Sequence, residues 1–131
     1  MTAGIDRHAQ VLLIKAAEDE TVLHVAGIPD GPFGFHVQQA IEKLLKALLS
    51  QLQIEYRFTH DLNQLELQLK DAGEALPAGL EDFSRIGTFA VTNRYDDIPE
   101  FHVLNRETAI ATVRLIREHV LARIAALSPQ P

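Results

Sequence analysis

Residues 33–53 read FGFHVQQAIEKLLKALLSQLQ. At about 100° per residue they sort into two halves. Val37, Ala40, Ile41, Leu44, Leu45, Leu48 and Leu52 fill one half, and His36, Gln39, Glu42, Lys43, Lys46 and Ser50 fill the other. Apolar side chains recurring every three and four positions predict an amphipathic helix from Phe33 or Gly34 to about Gln53. Its apolar half needs neighbours, and the flanking sequence supplies them.

Upstream, a first helix is expected from about Asp6 to Val25, with Ile5, Leu12, Ala16 and Leu23 on one side. The loop Gly27-Ile28-Pro29-Asp30-Gly31-Pro32 ends it, since proline breaks helices. Downstream, Thr59 or Asp61 caps a third helix carrying Leu62, Leu65, Leu69 and Ala72. After Gly73 and Pro77 a fourth runs from about Leu80 to Thr92 with Phe83, Ile86, Phe89 and Ala90. A polar loop holds Asp96, Asp97 and Pro99. Asn105 then caps a long last helix bearing Ala109, Ile110, Val113, Ile116, Val120, Ile124 and Leu127. No stretch sustains two-residue alternation, and Asp30-Gly31 lies between two prolines, which suits a loop better than a hairpin. The expected fold is all-α: an antiparallel, up-and-down bundle of four to five helices. One domain is expected over residues 1–131, with its core at about 6–127.

Composition narrows the function. The chain has 131 residues, 47% hydrophobic and 23% charged, as an ordinary globular domain does. Eighteen acids against 12 bases leave a formal charge of −6, which excludes a general nucleic-acid coat but leaves room for a local basic patch. There is no cysteine, so disulfides, thiolate nucleophiles and cysteine-ligated metals are excluded. No apolar run approaches the roughly 20 residues that span a bilayer, and residues 1–10 lack the apolar core of a signal peptide. A cytoplasmic protein without membrane contact is the expectation.

Three sets of residues stand out. His36, Gln39, Lys43 and Lys46 fall within an arc of roughly 80° on the second helix. Two lysines, an amide and an imidazole on one face suit a phosphate and a base edge. The same residues also suit a solvated face on which Glu42 and Lys46 form an ordinary i,i+4 pair. Arg94 continues the stripe of Phe83, Gly87 and Ala90, and a guanidinium there needs a carboxylate, a carbonyl or a ligand phosphate. Its alternative is a helix C-terminal charge paired with Asp96 or Asp97. Arg117 projects among Ile110, Val113, Val120 and Ile124, where a structural role is expected, either snorkelling or paired. The six histidines show no i,i+3 or i,i+4 pair, so no metal site and no cofactor are expected. No Gly-x-Ser-x-Gly elbow, Gly-x-Gly-x-x-Gly loop or Walker loop occurs.

Read together, three stretches resemble the HEPN (higher eukaryotes and prokaryotes nucleotide-binding) domain family. They are Phe35-His36-Val37-Gln38-Gln39-Ala40-Ile41-Glu42-Lys43-Leu44-Leu45-Lys46-Ala47-Leu48, then Thr59-His60-Asp61-Leu62, then Thr92-Asn93-Arg94-Tyr95. The resemblance covers roughly residues 6–127. It implies a helical bundle, commonly dimeric, with a role around nucleotides or RNA. It also implies a partner minimal nucleotidyltransferase in a toxin–antitoxin-like pair. Some members are metal-independent ribonucleases that use a closely spaced arginine and histidine, and here the sequence departs. Seven residues separate Arg94 from His102. Arg114 and His119 have the family's spacing, but within one helix they project about 140° apart. Leu115 stands where the family has a polar residue, and Asp96 replaces the proline that often follows arginine-tyrosine.

Two readings result, beside the plain alternative of a helical dimer with no ligand at all. In the first, the chain is a non-catalytic binding module. A phosphate-bearing ligand or partner docks between the second and fourth helices on Lys43, Lys46 and Arg94, with His36, Gln39 and Tyr95 around it. In the second, it is a ribonuclease whose site forms across a homodimer from Arg94 or Arg114 with His102 or His119. A homodimer is expected in either case, because the last helix carries Leu115 opposite its apolar stripe.

Overall fold

In the computed structural model, residues 4–77 and 106–128 are described. They form four helices: α1 (Arg7–Val22), α2 (Asp30–Gln51), α3 (Leu62–Asp71) and α4 (Arg106–Leu127). No strand occurs among the described residues. The helix expected near 80–92 and the Asn105 cap lie outside them.

The bundle is built around α2, which packs against α1, α3 and α4. Twelve of its 22 residues are buried, including Phe33, Val37, Ile41, Leu44, Leu45, Leu48 and Leu49. A helix apolar over so wide an arc is a central one, since neighbours on one side alone would leave part of that surface in water. Ala9, Ala16 and Leu23 of α1, Leu62, Leu65 and Leu69 of α3, and Ala109, Val113, Ile116, Val120 and Ile124 of α4 complete one core. α1 and α2 form an antiparallel hairpin. Asp6 binds Ser50 at one end of the pair, and Asp19 binds His36 at the other. Arg106, at the start of α4, donates to the Ile28 carbonyl and to Asp30 and lies over the Phe33 ring, so α4 enters beside the start of α2.

Several local expectations need correction. α2 begins at Asp30, not at Phe33, so Pro32 lies inside its first turn. A first-turn residue has no intrahelical acceptor for its N–H, so proline loses nothing there, and Phe33 already donates to the Pro29 carbonyl at 3.0 Å. α1 stops at Val22, and Leu23, His24 and Val25 continue as tight three-residue turns before Gly27, whose φ is 77°. Ile5 precedes the helix and is exposed instead of joining the Ala16 stripe, and Ala72 is the exposed C-cap of α3.

Both α2 and α3 end in the same two-bond cap. In α2, Ile54 N–H donates to Leu49 and Gln53 N–H to Ser50. In α3, Glu74 donates to Leu69 and Gly73 to Lys70. This cap requires a left-handed residue, supplied by Gly73 in α3 and by Gln53 (φ 63°) in α2. The second turn redirects the chain into residues 54–61, which lie back along α2 and deliver Tyr56 and His60 to its polar side. Asp61 then caps α3 by accepting from Asn63 N–H at 3.0 Å.

Leu44 and Leu48 are almost completely buried in the middle of this core. Leu44→Ala and Leu48→Ala are each expected to destabilise the protein by about 2–5 kcal/mol, measured by urea unfolding followed by circular dichroism.

Candidate functional site

The polar stripe of α2 is not a solvated face. It divides between two buried carboxylates. His36 and Lys43 turn towards α1, where His36 Nδ1 lies 2.7 Å from Asp19 Oδ1 and the Lys43 ammonium pairs with Asp19 Oδ2. Asp19 is itself buried, on the same side of α1 as Ala16 and Leu23. A carboxylate only accepts, so Nδ1 carries the hydrogen in the Asp19–His36 contact.

Gln39 and Lys46 turn the other way, towards Glu42. This carboxylate is 4% exposed. Glu42 Oε2 accepts from Lys46 Nζ at 2.8 Å, and Oε1 accepts from Gln38 at 3.0 Å and from His60 Nδ1 at 2.9 Å. Gln39 reaches Gln38 Oε1 at 2.9 Å and Glu42 Oε1 at 3.5 Å. Gln38 also donates to the His60 carbonyl at 2.8 Å, tying the incoming segment to α2. The Glu42–Lys46 pair has the expected i,i+4 spacing, but both side chains are buried or nearly so, at 5% and 12% exposure. Lys46 Nζ also lies 5.1 Å from the centre of the Tyr56 ring. Tyr56 in turn stacks on His8, with Oη 2.6 Å from His8 Nε2.

Burial pushes the Glu42 carboxyl up. The hydrogen bonds from Lys46, His60 and Gln38, with the charge of Lys46, outweigh that and hold it below the ordinary glutamate range. Bonds from Ser50 and Ala9 hold Asp6 down despite some desolvation, and the Arg123 bond does the same for Glu74. Chemically, the stripe offers two carboxylate-anchored imidazoles and two ammonium groups that already face carboxylates. His60 is anchored through Nδ1 while its side chain is 81% exposed, so its Nε2 side is open to solvent.

Of the residues expected to bind phosphate, Lys43, Lys46, His36 and Gln39 are therefore on α2 as two separate pairs. Arg94 and Tyr95 lie outside the described residues, as does His102. Arg114 is exposed on α4, whereas His119 Nε2 is sealed from solvent and has no hydrogen-bond partner among the described residues. Arg117 is structural: it donates to Glu20 Oε2 of α1 at 2.8 Å. Sequence reasoning passed over Asp19, Gln38, Tyr56 and the link from His60 to Glu42. For Asp19 a signal existed, because it falls three residues after Ala16 and four before Leu23 within the apolar stripe. For Gln38 and Glu42 it lay in the same spacing, since Leu45 and Leu49 continue their row.

The family model described as the HEPN domain matches residues 33–124, well over half of the chain. No curated protein and no solved structure matches it. The matched span begins at Phe33, one turn into α2, and leaves out α1 and its cap, which supply Asp19, His8 and Asp6.

Two outcomes are expected for the Glu42 cluster. Glu42→Ala leaves an ammonium, an imidazole and an amide without their shared acceptor and should cost about 3–5 kcal/mol in urea unfolding at pH 7. Because the folded carboxyl titrates below its unfolded value, its contribution is complete above the unfolded pKa and is lost as pH falls through the folded one. Stability should therefore decline from about pH 4.5 downward, with Asp6 and Glu74 acting in the same direction. Glu42→Gln should flatten part of that decline.

Proposed function

This chain belongs to the HEPN domain family, a class of nucleotide-related and ribonuclease-type helical modules, and on that premise we propose that it is a non-catalytic binding module. It works as a homodimer beside a minimal nucleotidyltransferase in a toxin–antitoxin-like pair. The observation that carries the non-catalytic reading is the fate of Arg114 and His119. The arginine is exposed, whereas Nε2, one of the two His119 ring nitrogens, is sealed from solvent. General acid–base catalysis through Nε2 would need it within hydrogen-bond reach of the reacting oxygen.

The phosphate-bearing group of the ligand or partner docks along the polar side of α2. Arg94 is its principal anchor, because Lys43 and Lys46 are each already opposed by a carboxylate and add little net positive charge. His36, Gln39 and Tyr95 are its further proposed contacts. Support for the dimer comes from α4, where Leu115 and Leu121 are exposed apart from the buried stripe.

RNA incubated with the purified protein in EDTA should stay intact, and cleavage that disappears on His119→Ala or His102→Ala would establish the ribonuclease reading instead. Arg94→Ala should weaken binding to a nucleotide panel or to the nucleotidyltransferase by about 1.5 kcal/mol or more, the lower range for a charged hydrogen bond. Arg94→Lys should restore little of it, since the planar fork is lost. In sedimentation the protein should run as a dimer, and Leu115→Glu should shift it towards monomer.

A further inference from the structure

Where α1 begins and α2 ends, a cleft of about 410 Å³ opens between Asp6, His8, Ser50, Glu55, Tyr56 and Phe58. Phe58 is fully exposed, the most exposed of the large apolar side chains described. The geometry points to this cleft as a docking site for an arginine side chain presented by a basic segment of a partner protein.

Charge decides against a phosphate. Asp6 and Glu55 contribute two carboxylates, and among the described residues no lysine or arginine lines the cleft. Both carboxylates repel an anion placed here and attract a cation, and the His8 imidazole is the one basic side chain in the lining, already engaged by Tyr56. Asp6 is ionised: its Oδ2 accepts from Ala9 N–H at 3.0 Å and from Ser50 Oγ at 2.6 Å, and it titrates below the ordinary aspartate range. The Glu55 carboxylate has no partner among the described residues. The neighbouring Arg57 does not neutralise the cleft, because its guanidinium is directed to Gln64 on α3.

Aromatic character decides for a guanidinium. Among the described residues two cations already lie over rings, with Lys46 Nζ 5.1 Å from the Tyr56 centre and Arg106 Cζ 4.6 Å from the Phe33 centre. Tyr56 is occupied by Lys46 and His8, while the Phe58 ring has neither a cation nor a ring against it among the described residues. A planar guanidinium stacks on such a ring and keeps its edge donors free for Glu55 and Asp6, which a compact ammonium does less well. Phe58 and Ile54 offer apolar surface to the methylene stem of the side chain, so a residue carried on a polypeptide fits better than a free polyamine. A net charge of −6 favours the approach of a basic partner from a distance. This site is independent of the nucleotide reading, which concerns the α2 stripe.

The test is an NMR titration of the full chain, labelled with nitrogen-15, against a capped tri-arginine peptide. Amide shifts are expected at residues 6–8 and 53–58, with a capped tri-lysine peptide binding more weakly. Phe58→Leu keeps the apolar surface and removes the π face, and should weaken the peptide about two- to five-fold. Glu55→Gln should weaken it and reduce its salt dependence. Both positions are exposed, so the variants should retain the wild-type circular dichroism and unfolding midpoint. Absence of shifts in this cleft, equal affinity for wild type and Phe58→Leu, or tighter binding of spermidine or AMP at the same amides would each overturn the assignment.

Discussion

A carboxylate does not leave water without compensation, and α2 carries Glu42 to a position where 4% of the residue remains exposed. Its two oxygens must therefore be supplied with donors from whatever packs nearby. Lys46 and Gln38 come from the same helix, one turn on either side, but His60 comes from the segment that follows α2. That last donor is a tertiary constraint. It fixes where the chain must pass after leaving α2, and with it the start of α3, because Asp61, the α3 cap, is the next residue. The left-handed Gln53 turn is the local counterpart, redirecting the backbone so that the His60 bond can form. α1 repeats the arrangement with Asp19, which engages His36 and Lys43 on the opposite edge of α2. The central helix is thus clamped from two sides by carboxylates accepting from lysine and histidine.

These clamps change what the lysines mean. Viewed along the helix, Lys43 and Lys46 are neighbours on one positive face. In the folded chain each is drawn towards a different negative charge, and the two ammonium groups serve different walls of the bundle. A phosphate near them competes with Asp19 and Glu42 and gains little net charge. Such pairs hold side chains in one geometry, and removing one partner is far more costly than the pair is stabilising. The stripe is accordingly well ordered for positioning donors and poorly charged for attracting anions from a distance.

The helices were legible because their signals are local. The Val37-to-Leu52 row of α2, the Leu62-Leu65-Leu69 spacing of α3 and the Asp61 cap depend only on residues close in sequence. The same holds for the resemblance carried by residues 35–48. The start of α2 was misplaced because Pro32 was read as a breaker, although the first turn is the one part of a helix that tolerates it. The pairing of charges was not legible, since it depends on which side of α1 and of segment 54–61 meets α2. A wheel assigns Glu42 to the polar half because it is an acid, yet Leu45 and Leu49 stand in its row and mark that row as buried. Residue type and position disagreed, and position prevailed.

The matched span of the family begins at Phe33, and α1 lies before it. Yet α1 contributes Asp19, which neutralises Lys43, and Asp6 and His8, which wall the cleft under Phe58. The part of the fold shared with the family supplies the helix that carries the stripe, while the preceding helix supplies the carboxylate that opposes Lys43. A HEPN chain with a neutral side chain in place of Asp19 would leave Lys43 uncompensated and open to an anion. Here that position is acidic, so α2 by itself offers an anion little net positive charge. The chemistry of the stripe is consequently decided by how its donors are partnered, and two of the partners, Asp19 and His60, come from segments outside α2.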